Sequence, residues 1–378
     1  MTKFSRETFE VRSVSPAKDP HKILFLGWSI AAKTDGTSVR FDSPQRPFFL
    51  NAIEAIRPLM AAKGMDLTLV VEYHYVQEMR LLQWSPDDLV NWLKESDIHF
   101  ILTHPHQGNP RWNVAEVHAA LQRLKDHPGF PYGVGMDCPV FLQHKYAYLL
   151  GVRPFTNPTL AIQLPTVDRT QESNGTVRFE SSCDHRDFDS TQLRSFLEKY
   201  NEGDGWVVKH PFVTMREGLQ WSRTPDHVLR NLAISTAKFG GRIPYTMVQP
   251  RLTNRKEYKV VVLNGVASHI IPQCANGISC EGSAFRCASA GDVMKFAEMA
   301  VLCLSRHCPG SQADGLIRVD VMETKHGNLI VNEFESLEAV YETPHNAGAE
   351  VEGHLKLFLM AYWVRKVECA FETFTLTH

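Results

Sequence analysis

The sequence predicts an α/β protein of two or three lobes, and three observations carry that expectation. Short apolar runs alternate with helical stretches through the first third of the chain, the pattern of a parallel sheet flanked by helices. Further on, strands follow one another, with one long helix before a final hairpin. The length, 378 residues, also exceeds what one ordinary core accommodates.

Composition narrows the function classes. With 43% hydrophobic and 22% charged residues, close to globular averages, a packed fold is expected throughout. A formal net charge of -2 leaves no electrostatic footprint for nucleic acid, and no run of Lys or Arg points to a membrane surface. No apolar stretch approaches the roughly 20 residues of a membrane span. The polar N-terminus, MTKFSRETFEVRSVSPAKDP, has no apolar signal core. The eight cysteines form no CxxC pair. Cys274, Cys280 and Cys287 are loosely spaced without a His partner, so buried thiols in a reducing cytosol are expected rather than zinc.

In chain order, residues 1–20 read as a flexible or surface-bound arm. KILFLGWSI (22–30), LTLVVEYH (67–74) and HFILT (99–103) read as buried strands, the first ending at Gly27. FLNAIEAIRPLMAAKG and VAEVHAALQRLKDH are the helices between and after them. Ligands of such sheets sit near the carboxyl ends of strands, so THPHQGNPRW (103–112) offers His104 and His106, or is a plain connecting loop. Gln143 to Leu150 is a helix closed by Gly151, and RPFTNPT an extended link. Polar residues 168–188 predict a mobile insertion. STQLRSFLEKY and TPDHVLRNLAISTAKFG are helices around the strand GWVVKHPF. YTMVQPRL, EYKVVVLNG and ASHIIPQ are strands, with Glu257 and Lys259 on one face of the second. SAGDVMKFAEMAVLCLSRH and AGAEVEGHLKLFLMAYWVRKV are the last helices.

The hairpin RVDVMETKHGNLIVNEFES (318–336) carries four acidic residues. Alternation puts Arg318, Asp320 and Met322 on one face, and Val331, Glu333 and Glu335 on one face. A turn at His326-Gly327 sets Asp320 opposite Glu333 and Arg318 opposite Glu335. Like charges directly opposed are destabilising, and a hard divalent cation on oxygen ligands is the simplest offset. Arg318 would suit a phosphate on the same metal. A solvated acidic hairpin with Arg318 paired to Glu335 is the competing reading.

Lys145, Lys209, the hinge from Gln249, and the hairpin fall in an order that resembles the ATP-grasp superfamily, the fold of D-alanine–D-alanine ligase, glutathione synthetase and related carboxylate–amine ligases. The resemblance runs from about residue 20 to 365. It implies an N-terminal parallel α/β domain at 21–142, a small central lid lobe at 143–250, and a C-terminal mixed-sheet lobe at 251–378. FPYGVGMDCPVFLQHKYAYLLGVRPF is similar to the segment bearing the first ATP-phosphate lysine, Lys145, and GWVVKHP to the strand bearing the second, Lys209. In MVQPRLTNRKEYKVVVLNG, Gln249, Pro250, Arg251 and Leu252 would line the base and Glu257 would face the ribose. RVDV and VNEFE look like the metal strands, with Asp320, Glu333 and Glu335 as ligands of Mg²⁺, two ions being implied.

Three departures from the family pattern stand out. Glu335 occupies a position commonly Asn. The loop after Lys209, HPFVTMREG, has only Gly218, so Thr214 and Arg216 would close over phosphates through side chains. No clear lysine marks a further transfer-phosphate position, and Arg286 is the substitute. The resemblance implies ATP-dependent ligation of a small carboxylic acid to an amine, amino acid or thiol through an acylphosphate. Arg318 and Arg286 would be catalytic. His104, His106 and Asn346 would bind substrate, Asn346 at a helix N-terminus that favours anions. A cytoplasmic enzyme with no nucleic-acid or membrane partner is expected, with a homodimer as a candidate assembly. A small-molecule kinase resembling the inositol-phosphate kinases, and a non-catalytic ATP-binding regulatory module, are the alternatives.

Overall fold

The structure, a computed structural model, describes residues 6–11, 21–27, 69–75, 100–104, 133–134, 145–165, 168–171, 177–180, 184–201, 204–211, 219–239, 245–252, 254–274, 288–307 and 316–335, with isolated positions 85, 87, 88, 91 and 123. The expected helices at 49–64 and after 346 lie outside the described residues, as does all but Arg123 of the helix at 114–127.

Strands β1 (Arg6–Val11), β2 (His21–Gly27), β3 (Leu69–Tyr75), β4 (Phe100–His104) and β5 (Gly133–Val134) form one sheet in the order β1-β3-β2-β4-β5. β2, β3, β4 and β5 run parallel, the arrangement that the alternation of short strands and helical stretches predicts. β1 was expected as part of an arm. Instead Arg6 to Val11 pairs antiparallel along the edge of β3.

Helix α1 (Lys145–Gly151) opens the middle of the chain. β6 (Leu160–Gln163), β9 (Trp206–Lys209), β10 (Gln220–Ser222) and β11 (Tyr245–Pro250) make an antiparallel sheet ordered β10-β9-β11-β6. Between its first two strands, β7 (Asp168–Gln171) and β8 (Val177–Glu180) form a hairpin where a mobile insertion was expected. α2 (Thr191–Lys199) is capped by the Ser190 hydroxyl, which accepts from the Leu193 N–H at 3.2 Å. α3 (Pro225–Phe239) starts with Pro at its first position, where a missing N–H costs nothing. Its Val228 and Leu232 pack with Trp206, Val208 and Val248 on one face of the sheet, and Met247 is buried on the other.

β12 (Asn254–Leu263), β13 (Val266–Cys274), β14 (Leu316–Thr324) and β15 (Leu329–Glu335) form a second antiparallel sheet in the order β13-β12-β14-β15. α4 (Ala290–His307) begins at Ser289, whose hydroxyl accepts from the Asp292 N–H at 3.1 Å. Its Val293, Ala297, Ala300 and Leu304 recur at helical spacing and cover Val260, Val262, Ile317, Val319 and Val321. Period-two alternation therefore sends Glu257, Lys259, Arg318 and Asp320 to the opposite face. Among the described residues no helix is long and apolar enough to cross a membrane.

Candidate active site

The β14–β15 hairpin turns through 325–327. Gly327 takes φ +83° and donates to the Thr324 carbonyl at 2.9 Å, while the Thr324 N–H donates to the Asn328 carbonyl at 2.9 Å. Close to the turn, Glu323 faces Leu329 and Val321 faces Val331. This register, continued, would put Asp320 opposite Asn332. Between Val321 and Asp320 the register shifts, so Asp320 faces Glu333 and Arg318 faces Glu335, as the sequence predicts. The bulge also reverses parity. Val331 and Phe334 both enter the core, so Val331 does not share the face of Glu333 and Glu335. Glu323, the fourth acidic residue, lies buried and accepts from the Tyr258 hydroxyl at 2.8 Å and the Ala288 N–H at 3.1 Å. It holds structure together and does not join the site.

On the open face, β12 sets Lys259 beside Asp320, so Lys259, Asp320 and Glu333 form one cross-strand row. The sequence shows Lys259 sharing a face with Glu257 but not that this face meets the acidic hairpin. Asp320 is buried, and both its oxygens accept from Arg318, Nε to Oδ1 at 2.7 Å and Nη2 to Oδ2 at 2.9 Å. The alternative pairing of Arg318 to Glu335 is therefore replaced by a bidentate pair along the strand. Lys145 leads α1, its N–H donating to the Pro211 carbonyl at 3.0 Å, and its ammonium is ion-paired to Glu333. That backbone bond ties α1 to the exit of β9, where Lys209 ends the strand. Lys145 thus contacts Glu333 directly, and Lys209 lies near enough to feel the same charge. Tyr148, three residues after Lys145 and therefore on the same helical face, packs edge-on against Phe334 at 5.5 Å. Helical spacing was the signal that could have placed it here.

The repulsion expected between Asp320 and Glu333 is met by the protein itself. Lys145, Lys209, Lys259 and Arg318 face Glu257, Asp320, Glu333 and Glu335, four cations to four carboxylates. The electrostatics follow from that crowding. Burial works against the Lys145 ammonium, but Glu333 and Glu335 outweigh it and raise its pKa. Burial and the Lys145 charge bring Lys209 down to about 8. Burial opposes ionisation of Glu333, yet Lys145 and Lys209 pull it to about 2. Burial and then Glu333 push Glu335 up to about 8. Burial raises Asp320 and Glu257 as well.

Glu335 gives a pH prediction. Its folded pKa lies above its unfolded value of about 4.3, so the native state holds a proton that the unfolded chain has released. That contribution is fully present below about pH 4.3 and is lost as pH rises toward 8. Thermal unfolding of the ligand-free chain should therefore show Tm falling between pH 5 and 8 relative to Glu335→Gln. Parallel pH profiles for the two proteins would contradict the assignment.

Asp320, Glu333 and Glu335 are hard oxygen donors on one sheet face, a donor set that suits Mg²⁺ chemically. Among the described residues no three His, Cys, Asp or Glu side chains converge on a common metal point, and Arg318 and Lys145 are paired with two of these carboxylates.

The end of β11 is held by the segment just before β6. Gln249 is buried and donates Nε2 to Thr159 Oγ1 at 2.6 Å, and Asn157 Nδ2 donates to the Pro250 carbonyl at 2.6 Å. The Arg251 N–H donates to the Gly205 carbonyl at 2.8 Å, and Leu252 follows, half-buried. Glu257 lies on the open face of the other sheet, opposite Met322. His104 closes β4 at the carboxyl end of a parallel strand. Thr214, Arg216, Arg286, His106 and Asn346 lie outside the described residues.

Lys145 of α1 and Lys209 of β9 are thus brought to the carboxylates of the β14–β15 hairpin. The structure of D-cycloserine synthetase DcsG superposes with a TM-score of 0.55, at 16% identity, over 91% of this chain and 98% of that one. The chain has the ATP-grasp fold. D-alanine–D-alanine ligase from Bacillus anthracis, complexed with ATP, is also similar, at 15% identity and a TM-score of 0.49 over 93% of this chain and 99% of that one. No family model matches the chain, and no curated protein matches it in sequence. Within the ATP-grasp fold of this chain, Lys145 pairs directly with Glu333 of the β14–β15 hairpin, and Lys209 lies near both.

Proposed function

We propose that the chain is an ATP-dependent ligase that joins a small-molecule carboxylate to an amine or amino acid, or to a thiol, through an acylphosphate. What carries this reading is the meeting of Lys145 and Lys209, remote in sequence from the hairpin, with Glu333 in one buried cluster. Buried charges of both signs are expensive unless paired, and a site that trades its internal pairs for a charged ligand has a use for them.

In this reading a substrate carboxylate oxygen bonds to the γ-phosphorus as the bond to ADP breaks. The amine nitrogen then attacks the carbonyl carbon, phosphate leaves, and the nitrogen loses its proton. Lys145 and Lys209 neutralise triphosphate oxygens, and Arg318 and Lys259 meet the charge of the transferred group. Asp320, Glu333 and Glu335 would hold Mg²⁺, two ions in the full site, which supplies further charge neutralisation at the phosphates. Gln249, Pro250, Arg251 and Leu252 line the base and Glu257 receives the ribose. Thr214 and Arg216 cover the phosphates, Arg286 assists transfer, and His104, His106 and Asn346 hold substrate. The lobes divide at about 142 and 250, and the enzyme works in the cytosol.

Lys259 makes no ion pair among the described residues and acts on Glu257 and Asp320 only at longer range, so its removal breaks no direct contact. Lys259→Met should lower kcat/KM about 10–100-fold, the effect of one charge-assisted hydrogen bond, with Tm nearly unchanged. An unaltered kcat/KM removes Lys259 from the site.

Turnover of ATP with a panel of carboxylic acids, amino acids and amines tests the function. Free phosphate that appears only with a paired acid and amine supports ligation. A phosphorylated acceptor without free phosphate points to a kinase, and Mg-ATP binding without turnover to a regulatory module.

A further inference from the structure

We infer that Trp221, clamped by Arg251, forms the outer wall of a slot for the nucleotide's base and sets how tightly that base is held. The inference rests on the nucleotide reading above and adds a residue that the sequence does not single out.

Trp221 lies on β10, the edge strand of the β10-β9-β11-β6 sheet. It pairs with Val207, which pairs with Gln249, so the three side chains form one cross-strand row. The parity of that row matters. Trp206, Val208 and Val248 point into the core beneath α3, so Val207, Trp221 and Gln249 point the other way. Lys209, two residues from Val207, shares their face with its strand partner Met247, which is buried in the core of the second sheet. The row therefore lies on the side turned toward that second sheet, about 7 Å along the strand from Lys209.

A large aromatic is normally buried at such a site. Trp221 instead stays 52% exposed, beside the half-buried Val207. It is nevertheless not a loose side chain. The Arg251 guanidinium stacks on its ring at 3.9 Å, and Arg251 Nε is buried without a hydrogen-bond partner among the described residues. Arg251 is thus fixed by the ring rather than by an acceptor. Gly205 lies between them at the head of β9. It takes φ +81°, and a Cβ there would sit 2.1 Å from the Ser222 carbonyl oxygen. Only glycine permits β10 to approach closely enough for the residue after the hinge to reach Trp221. A floor of Val207, an inner wall at Gln249 and a rigid planar outer wall suit a flat heteroaromatic ring.

The test measures binding of ATP and of inorganic tripolyphosphate, each with Mg²⁺, by calorimetry. Trp221→Ala should weaken ATP about 10–100-fold, the loss of one base–aromatic stack, and leave tripolyphosphate unchanged. Trp221→Phe should bind ATP within severalfold of the unmodified chain while losing an ATP-dependent quench of tryptophan emission. Because Trp221 is half exposed, its variants should melt close to the unmodified chain. Equal ATP affinity in Trp221→Ala, or equal weakening of ATP and tripolyphosphate, overturns this inference alone. No uptake of Mg-ATP by the unmodified chain overturns the nucleotide reading and this inference together.

Discussion

Lys145→Met should destabilise the ligand-free chain by about 3–5 kcal/mol and abolish ATP-dependent turnover. Both effects come from one geometry. The Lys145 and Glu333 side chains are only 10% and 20% exposed, so removing the ammonium strands a carboxylate where water cannot solvate it. Glu333 is held ionised, at about 2, by Lys145 and Lys209. With Lys145 gone, that stabilisation is reduced and its pKa moves up. Stability present above the unfolded value of about 4.3, and lost as pH falls toward 2, shrinks accordingly. Lys145→Met/Glu333→Gln should recover much of the lost stability while remaining inactive, because the pair is removed together. Chemical denaturation of the two variants measures this. A double variant no more stable than the single one would show that α1 packing, not the ion pair, sets the cost.

Asp320→Asn should lower turnover at least about a hundredfold, the scale expected when a charge poised for a transferring group is removed. Its stability effect separates two roles. Asp320 is buried and accepts twice from Arg318, and an amide keeps one acceptor but loses the charge that compensates the buried guanidinium. Some destabilisation is therefore expected. Arg318→Met/Asp320→Asn removes the pair and should regain stability without regaining activity. Steady-state kinetics beside denaturation midpoints distinguishes a site residue from a structural one. Full turnover in Asp320→Asn would leave the pair purely structural.

Much of the architecture was legible because period-two alternation and helix caps are local. The hairpin pairing of Asp320 with Glu333 followed from Gly327 and alternation alone. Its agreement with the structure nevertheless depends on a bulge no pattern announced, and that bulge is why Val331 was placed on the wrong face. The strand at Arg6–Val11 was missed because a polar edge strand carries little hydrophobic signal. The lysines were found in sequence, but how they are balanced was not. Opposed carboxylates in a sequence imply an absent cation, and here Lys145 and Arg318 already supply positive charge. Lys259 comes beside Asp320 only through cross-strand register, and Tyr148 and Trp221 take their places through helix docking and strand pairing, which join residues far apart in the chain.

The central claim is that this buried cluster exchanges its internal ion pairs for a metal-bound nucleotide. Calorimetry of the intact chain with ATP, with and without Mg²⁺, tests it most directly. Saturable uptake of ATP that requires Mg²⁺ and vanishes in Lys145→Met/Glu333→Gln is the predicted result. No Mg²⁺-dependent uptake by the intact chain would contradict it.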